Sequence, residues 1–175
     1  MTPDLPRVEQ VHALPHHLTM TVPQDFTDAN GHMNIARYLE VHSTAGWVAY
    51  AAWGLGEDVA LRGGPASFDA EHHLRYLHEV GAGDEIAVYG RVLARSPRAL
   101  HYMQFLVDRT TGVLANTFET VSLSIDLAQR RTVDYPAEIA ARLDAEIAVH
   151  AALDWAAPVC GAMGVRGSVT NAPSA

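Results

Sequence analysis

The chain has 175 residues, 49% of them hydrophobic and 18% charged, enough apolar material for one domain with a core and too much for a disordered chain. The formal charge is -8 and all 12 basic residues are arginine, scattered except for the pair Arg130 and Arg131, which argues against a nucleic-acid partner. A lone cysteine, Cys160, forbids an internal disulfide and reads as an incidental thiol.

Residues 1–15 contain Asp4, Arg7 and Glu9 and no long apolar run, so they read as an N-terminal extension without signal or membrane-anchor character. No membrane association is expected, and a cytoplasmic location fits. From His17 to Val22, Leu18, Met20 and Val22 alternate with polar residues, and Pro23 ends this first strand. No proline interrupts Asn34 to Trp53, where Ile35, Leu39, His42, Gly46, Ala49 and Trp53 recur at helical spacing. Tyr38, Val41, Ala45, Val48 and Ala52 add a second apolar face, so this helix must be covered by other structure over most of its length.

Glycines at 54, 56, 63 and 64 break the chain before an extended segment, Ser67 to Leu77. Strict alternation there sets Glu71, His73 and Arg75 on one face and His72, Leu74 and Tyr76 on the other. Three further strands follow: one carrying Ile86, Val88, Val92 and Ala94, one from Leu100 to Asp108, and one carrying Val121, Leu123 and Ile125. The short turns between them imply an antiparallel meander. Tyr135-Pro136 opens a final helix with Ile139, Leu143, Ile147 and Ala151 on one stripe, expected on an outer edge or a subunit contact. Residues 156–175 read as a flexible tail, leaving 16–155 as the single domain.

The chemistry concentrates in Asp25-Phe-Thr-Asp-Ala-Asn-Gly-His-Met-Asn34, the loop that enters the long helix. A helix N-terminus offers unpaired N–H groups that can stabilise an oxyanion, and Asp28 just upstream can act as general base on water or attack a carbonyl itself. Asn30 and His32 can orient water or carbonyl, and Gly31 lets the backbone approach the reacting group. The same residue types also build ordinary helix-entry turns, in which Asp28 or Asn34 is only a cap. His32, His42, His72 and His73 are candidate metal ligands, but no zinc-type spacing occurs and no metal is expected. There is no serine-hydrolase elbow and no nucleotide-binding glycine loop.

Asp28-Ala-Asn-Gly-His-Met-Asn34 followed by Tyr38-Leu39 resembles the helix-entry motif of hotdog-fold thioesterases. It is similar both to the Asp-x-x-Gly motif of 4-hydroxybenzoyl-CoA thioesterases and to the Asp-x-Asn-x-His-x-Asn motif of acyl-carrier-protein thioesterases. Glu71-His-His-Leu-Arg-Tyr-Leu-His-Glu-Val-Gly-Ala-Gly-Asp84 and Arg98-Ala-Leu-His-Tyr102 resemble the segments of thioesterases that act on betainyl-CoA, including those fused to carnitine dehydrogenases. His78-Glu79 stands where many relatives have Arg-Pro, and Ile35 where a second Asn is usual.

The resemblance implies an α+β hotdog fold, an antiparallel β-sheet wrapped around a long central helix with an additional C-terminal helix. It implies an acyl-CoA thioesterase with Asp28, Asn30 and His32 as catalytic residues and no cofactor other than the CoA of the substrate. Gly31, Asn34, Tyr38, Glu71 and His73 would line the acyl pocket, with Glu71 and aromatics such as Trp47, Trp53 and Tyr76 open to a cationic acyl group. Arg95 and Arg98 would meet the CoA phosphates. The assembly implied is a homodimer or a dimer of dimers, a homotetramer, with the pocket at the subunit interface. An acyl-CoA sensor and a hotdog hydratase are the alternatives on the same fold.

Overall fold

The computed structural model describes residues 4–166; the expectation of a flexible tail at 167–175 lies outside the described residues. The element order is α1 (Val8–His12), β1 (His16–Thr21), a 3-10 turn (Gln24–Phe26), α2 (Ile35–Trp53), α3 (Glu57–Leu61), β2 (Ala66–Tyr76), β3 (Glu85–Arg95), β4 (Ala99–Asp108), β5 (Val113–Asp126), β6 (Arg131–Thr132) and α4 (Ala137–Ala151). All strand pairs are antiparallel in the order β1-β3-β4-β5-β2, with β6 appended to β5. The sheet wraps the long helix as the hotdog resemblance implies.

Apolar alternation along β3 to β5 sends two sets of side chains to opposite faces. On the inner face Val22, Val41, Ala45, Ile86, Val88 and Leu106 form one cluster under the first half of α2. Ala49, Tyr50 and Trp53 meet Val92, Leu100, Tyr102 and the α4 stripe Ile139, Leu143 and Ile147 in a second. Trp53 is therefore a core residue, wedged edge-on against Tyr50 and Tyr102. Gly54 ends α2 in the left-handed conformation, with Leu55 N–H reaching back to the Tyr50 carbonyl and its side chain entering the core.

β1 pairs with β3 only as far as Tyr89, and α4 covers the edge beyond it. There the Val92 N–H donates to His150 Nδ1 at 3.0 Å, so the helix does sit at an outer edge of the sheet. The outer face is covered too. Val11 and Leu14 from the N-terminal extension pack on Met103, Phe105 and Val107, together with Leu153, Trp155, Ala157 and Val159. The described part of the segment after residue 155 is thus irregular but packed. Among the described residues no helix is long and apolar enough to cross a membrane.

Candidate active site

The loop into α2 is a tight hairpin. A bridge joins Thr27 to Met33, Asp28 N–H donates to the His32 carbonyl at 3.1 Å, and Gly31 N–H donates to the Asp28 carbonyl at 3.0 Å. Gly31 has φ 87°, a conformation other residues resist, yet an added β-carbon would meet nothing within 4 Å. Within the chain itself it makes the turn possible, and the space beside it is open.

Asp28 is half-buried, and both of its oxygens are held: Oδ1 accepts the Asn30 N–H at 2.8 Å and Oδ2 faces Asn34 Nδ2 at 3.4 Å. The helix cap is Asn34, whose Oδ1 accepts the Ala36 N–H at 3.0 Å. Of the two capping candidates the sequence offers, Asn34 takes that role and Asp28 does not cap α2. The Ile35 N–H has no acceptor among the described residues, and it lies at the positive end of a 19-residue helix. Asn30 is exposed and holds Asp28 through its backbone. His32 Nε2 lies 3.5 Å from Glu79 Oε1.

Two clefts open along the seam between α2 and β2. The first, about 270 Å³, lies at the start of α2 among His32, Ile35, Tyr38, Tyr76, Leu77 and Glu79. Tyr38 forms its buried wall, edge-on to Tyr76, and burial pushes its phenol up to about 12. The second, about 320 Å³, lies beside the middle of α2, with Ser43, Trp47, Tyr50, Asp69, His72 and Tyr102 among its lining.

Asp69 enters this second cleft because a β-bulge between Asp69 and Glu71 reverses the alternation of β2. Its Oδ1 accepts the Tyr50 hydroxyl at 2.8 Å, and that hydroxyl lies 3.1 Å from the Tyr102 hydroxyl. Burial raises both phenols well above their usual range, so they stay neutral donors. A carboxylate held by a phenol, beside the exposed Trp47 indole and the Phe118 ring, is suited to an organic cation.

Four residues expected at the site line neither of the two clefts. Glu71 and His73 are exposed on the face of β2 opposite His72, so neither lines the cleft; strict alternation missed the bulge that puts Asp69 there. Arg95 is held bidentately by Asp144 of α4, with both contacts at 2.6 Å, and fastens that helix to β3. Arg98 pairs with Asp134 at 2.5 Å on the surface.

Residues 22–143 match the family model described as the thioesterase-like superfamily. The betainyl-CoA thioesterase of Pseudomonas aeruginosa is 31% identical over 74% of this chain and 81% of its own length. An L-carnitine dehydrogenase/betainyl-CoA thioesterase of Rhizobium meliloti is 28% identical over 74% of this chain; the match spans 26% of that longer protein. A Staphylococcus aureus protein solved in complex with CoA has the same fold, with a TM-score of 0.77 at 23% identity, covering 87% of this chain and 96% of the other. With the match extending over most of the chain, from the strand end before the Asp28 hairpin into α4, the protein belongs to the thioesterase-like superfamily and is a hotdog-fold thioesterase.

Proposed function

We propose that the chain hydrolyses an acyl-CoA to the free acid and CoA, with Asp28 as the reacting carboxylate. The observation that carries this reading is the pose of Asp28, gripped by Asn30 and Asn34 in the hairpin whose other end, His32 and Met33, lines an open cleft with Ile35 at the start of α2. As general base, Asp28 takes a proton from water while the oxygen adds to the thioester carbonyl; CoA thiolate then leaves and is protonated. As nucleophile, it adds to the thioester carbonyl and displaces CoA thiolate, which is protonated, and water then opens the resulting anhydride to the free acid and the regenerated carboxylate. In either route the Ile35 N–H is the donor best set to meet the growing oxyanion.

For the acyl group, the Asp69 cleft supports a small cationic head such as a quaternary ammonium, and the betainyl-CoA relatives point the same way. Asp69 takes the part first given to Glu71. The working unit in this reading is a dimer, supported by the exposed apolar side chains along the seam and by the free edge of β2.

The test is thiol release from a panel of acyl-CoAs that includes betainyl-CoA and its neutral tert-butyl isostere. Asp28→Asn is expected to lower kcat roughly 10²–10⁴-fold while the fold is kept. Wild-type turnover by that variant would remove Asp28 from the mechanism. Asp69→Asn is expected to lose preference for the cation over the isostere; equal rates on both in the wild type would discard the cationic substrate and leave the hydrolase.

A further inference from the structure

We propose that His73, Glu119 and Cys160 form a binding site for a thiophilic divalent cation, zinc foremost, which clips the segment after α4 to the outer face of the sheet. Each of the three offers one ligand atom, and these atoms lie within 4.8 Å of one another. Ligands of a tetrahedral zinc, at about 2.0–2.3 Å from the ion, stand roughly 3.3–3.8 Å apart, so a side-chain adjustment of about an ångström closes the site. A set of thiolate, imidazole and carboxylate favours zinc over magnesium or calcium, which take oxygen shells.

Two of the ligands sit on a rigid frame, because His73 and Glu119 are directly paired across β2 and β5. Glu119 is only 1% exposed, and a carboxylate so deeply buried calls for hydrogen bonds and positive charge. Its Oε1 lies 2.8 Å from His101 Nε2, and its Oε2 accepts the Cys160 N–H at 2.7 Å. His101 thus orients the ligand from behind, as outer partners do at metal sites.

The third ligand is aimed by its own turn. Gly161, at φ 77°, lets the Ala162 N–H reach back to Cys160 Sγ at 3.4 Å, which fixes the direction of the sulfur. His73 is exposed, which gives the ion a path from solvent and leaves the fourth position to water. The acyl clefts lie across the sheet on the α2 side, so the ion acts as a fastening, holding down a segment whose Trp155, Ala157 and Val159 already cover the sheet. The ligands come from two strands and a loop far apart in the chain, and no local spacing could reveal them.

The experiment uses the full chain, stripped with chelator and titrated with Zn²⁺ and, separately, with Co²⁺. One ion per chain is expected, with a thiolate-to-cobalt charge-transfer band and slower reaction of Cys160 with a thiol reagent when Zn²⁺ is bound. Cys160→Ser should abolish the band, and Cys160→Ser and His73→Gln should each weaken Zn²⁺ binding by roughly tenfold or more. Both positions reach the surface, so the variants keep the core intact. Asp28→Asn should bind the ion as the wild type does. Absence of stoichiometric binding, unchanged thiol reactivity in saturating Zn²⁺, or wild-type affinity in either ligand variant overturns the site.

Discussion

His42 is fully buried in the middle of α2, its Nε2 2.6 Å from Asn116 Oδ1 and its Nδ1 2.8 Å from the Gln104 side-chain amide, with its ring stacked on Phe118. The Asn116 amide is fixed, because its Nδ2 donates to the Arg75 carbonyl, so Nε2 of His42 carries a proton. Burial holds the imidazole down at about 4, which makes the ring neutral and leaves Nδ1 an acceptor. Gln104 must then present its NH₂ to Nδ1, an orientation that also pairs the buried Nε2 otherwise left without a partner. A histidine whose folded pKa lies below its unfolded value of 6.5 contributes stability that is complete above pH 6.5 and lost as pH falls toward 4. For His42 this amounts to about 3 kcal/mol. Urea unfolding of the wild type and of His42→Gln across that window should differ in slope, the wild type losing more. His17 and His150 are lowered by burial in the same direction and keep part of the slope in the variant. Parallel curves would assign the pH dependence to other groups.

At the scale of elements, one buried arginine ties the end of α4 to the sheet. Arg91 on β3 donates to the His150 carbonyl and the Trp155 carbonyl, each at 3.0 Å, with its guanidinium over the Trp155 ring. A cation on the last carbonyls of a helix also answers its dipole. Arg91→Met keeps the stem and removes the donors, and should cost about 1.5–3 kcal/mol with an unchanged m-value and faster amide exchange at residues 153–160. An unaltered midpoint would mean that the segment is held by its apolar contacts alone. Nothing in the sequence announced this clamp, since residues 153–159 and 8–14 lack the periodicity that made β1, α2 and the meander legible. The site divides in the same manner. The Asp28–Asn34 hairpin is a local structure whose turn and cap residues are contiguous, so it could be read directly. The second cleft is assembled from mid-α2 and β2, and a one-residue bulge, invisible to alternation, decides that Asp69 rather than Glu71 faces it.

For the whole molecule, the apolar circumference of α2 demands cover that one chain does not provide. Ile35, Leu39 and Trp47, on one stripe of the helix, stay 68%, 39% and 57% exposed, and Tyr76 of β2 is open beside Ile35. A second copy over this seam, with its β2 extending the sheet, would bury them all. The catalytic reading proposed above calls for a second copy as well. At 1.5 Å per residue Tyr50 lies about 24 Å along α2 from Asn34, too far for one small acyl group to span from Asp69 to the Asp28 of the same chain. A two-fold pair with antiparallel α2 helices brings the partner's Asp28 toward the middle of the helix, so each site would take Asp28 from one copy and Asp69 from the other. Subunit mixing tests this directly. Asp28→Asn and Asp69→Asn homodimers should each hydrolyse the cationic substrate poorly. After co-refolding in equal amounts, about half of the dimers are mixed, and each mixed dimer holds one intact site and one doubly altered site. Activity should then rise to about a quarter of the wild-type value. A site contained within a single chain gives no such recovery, because every chain in the mixture carries one of the two substitutions.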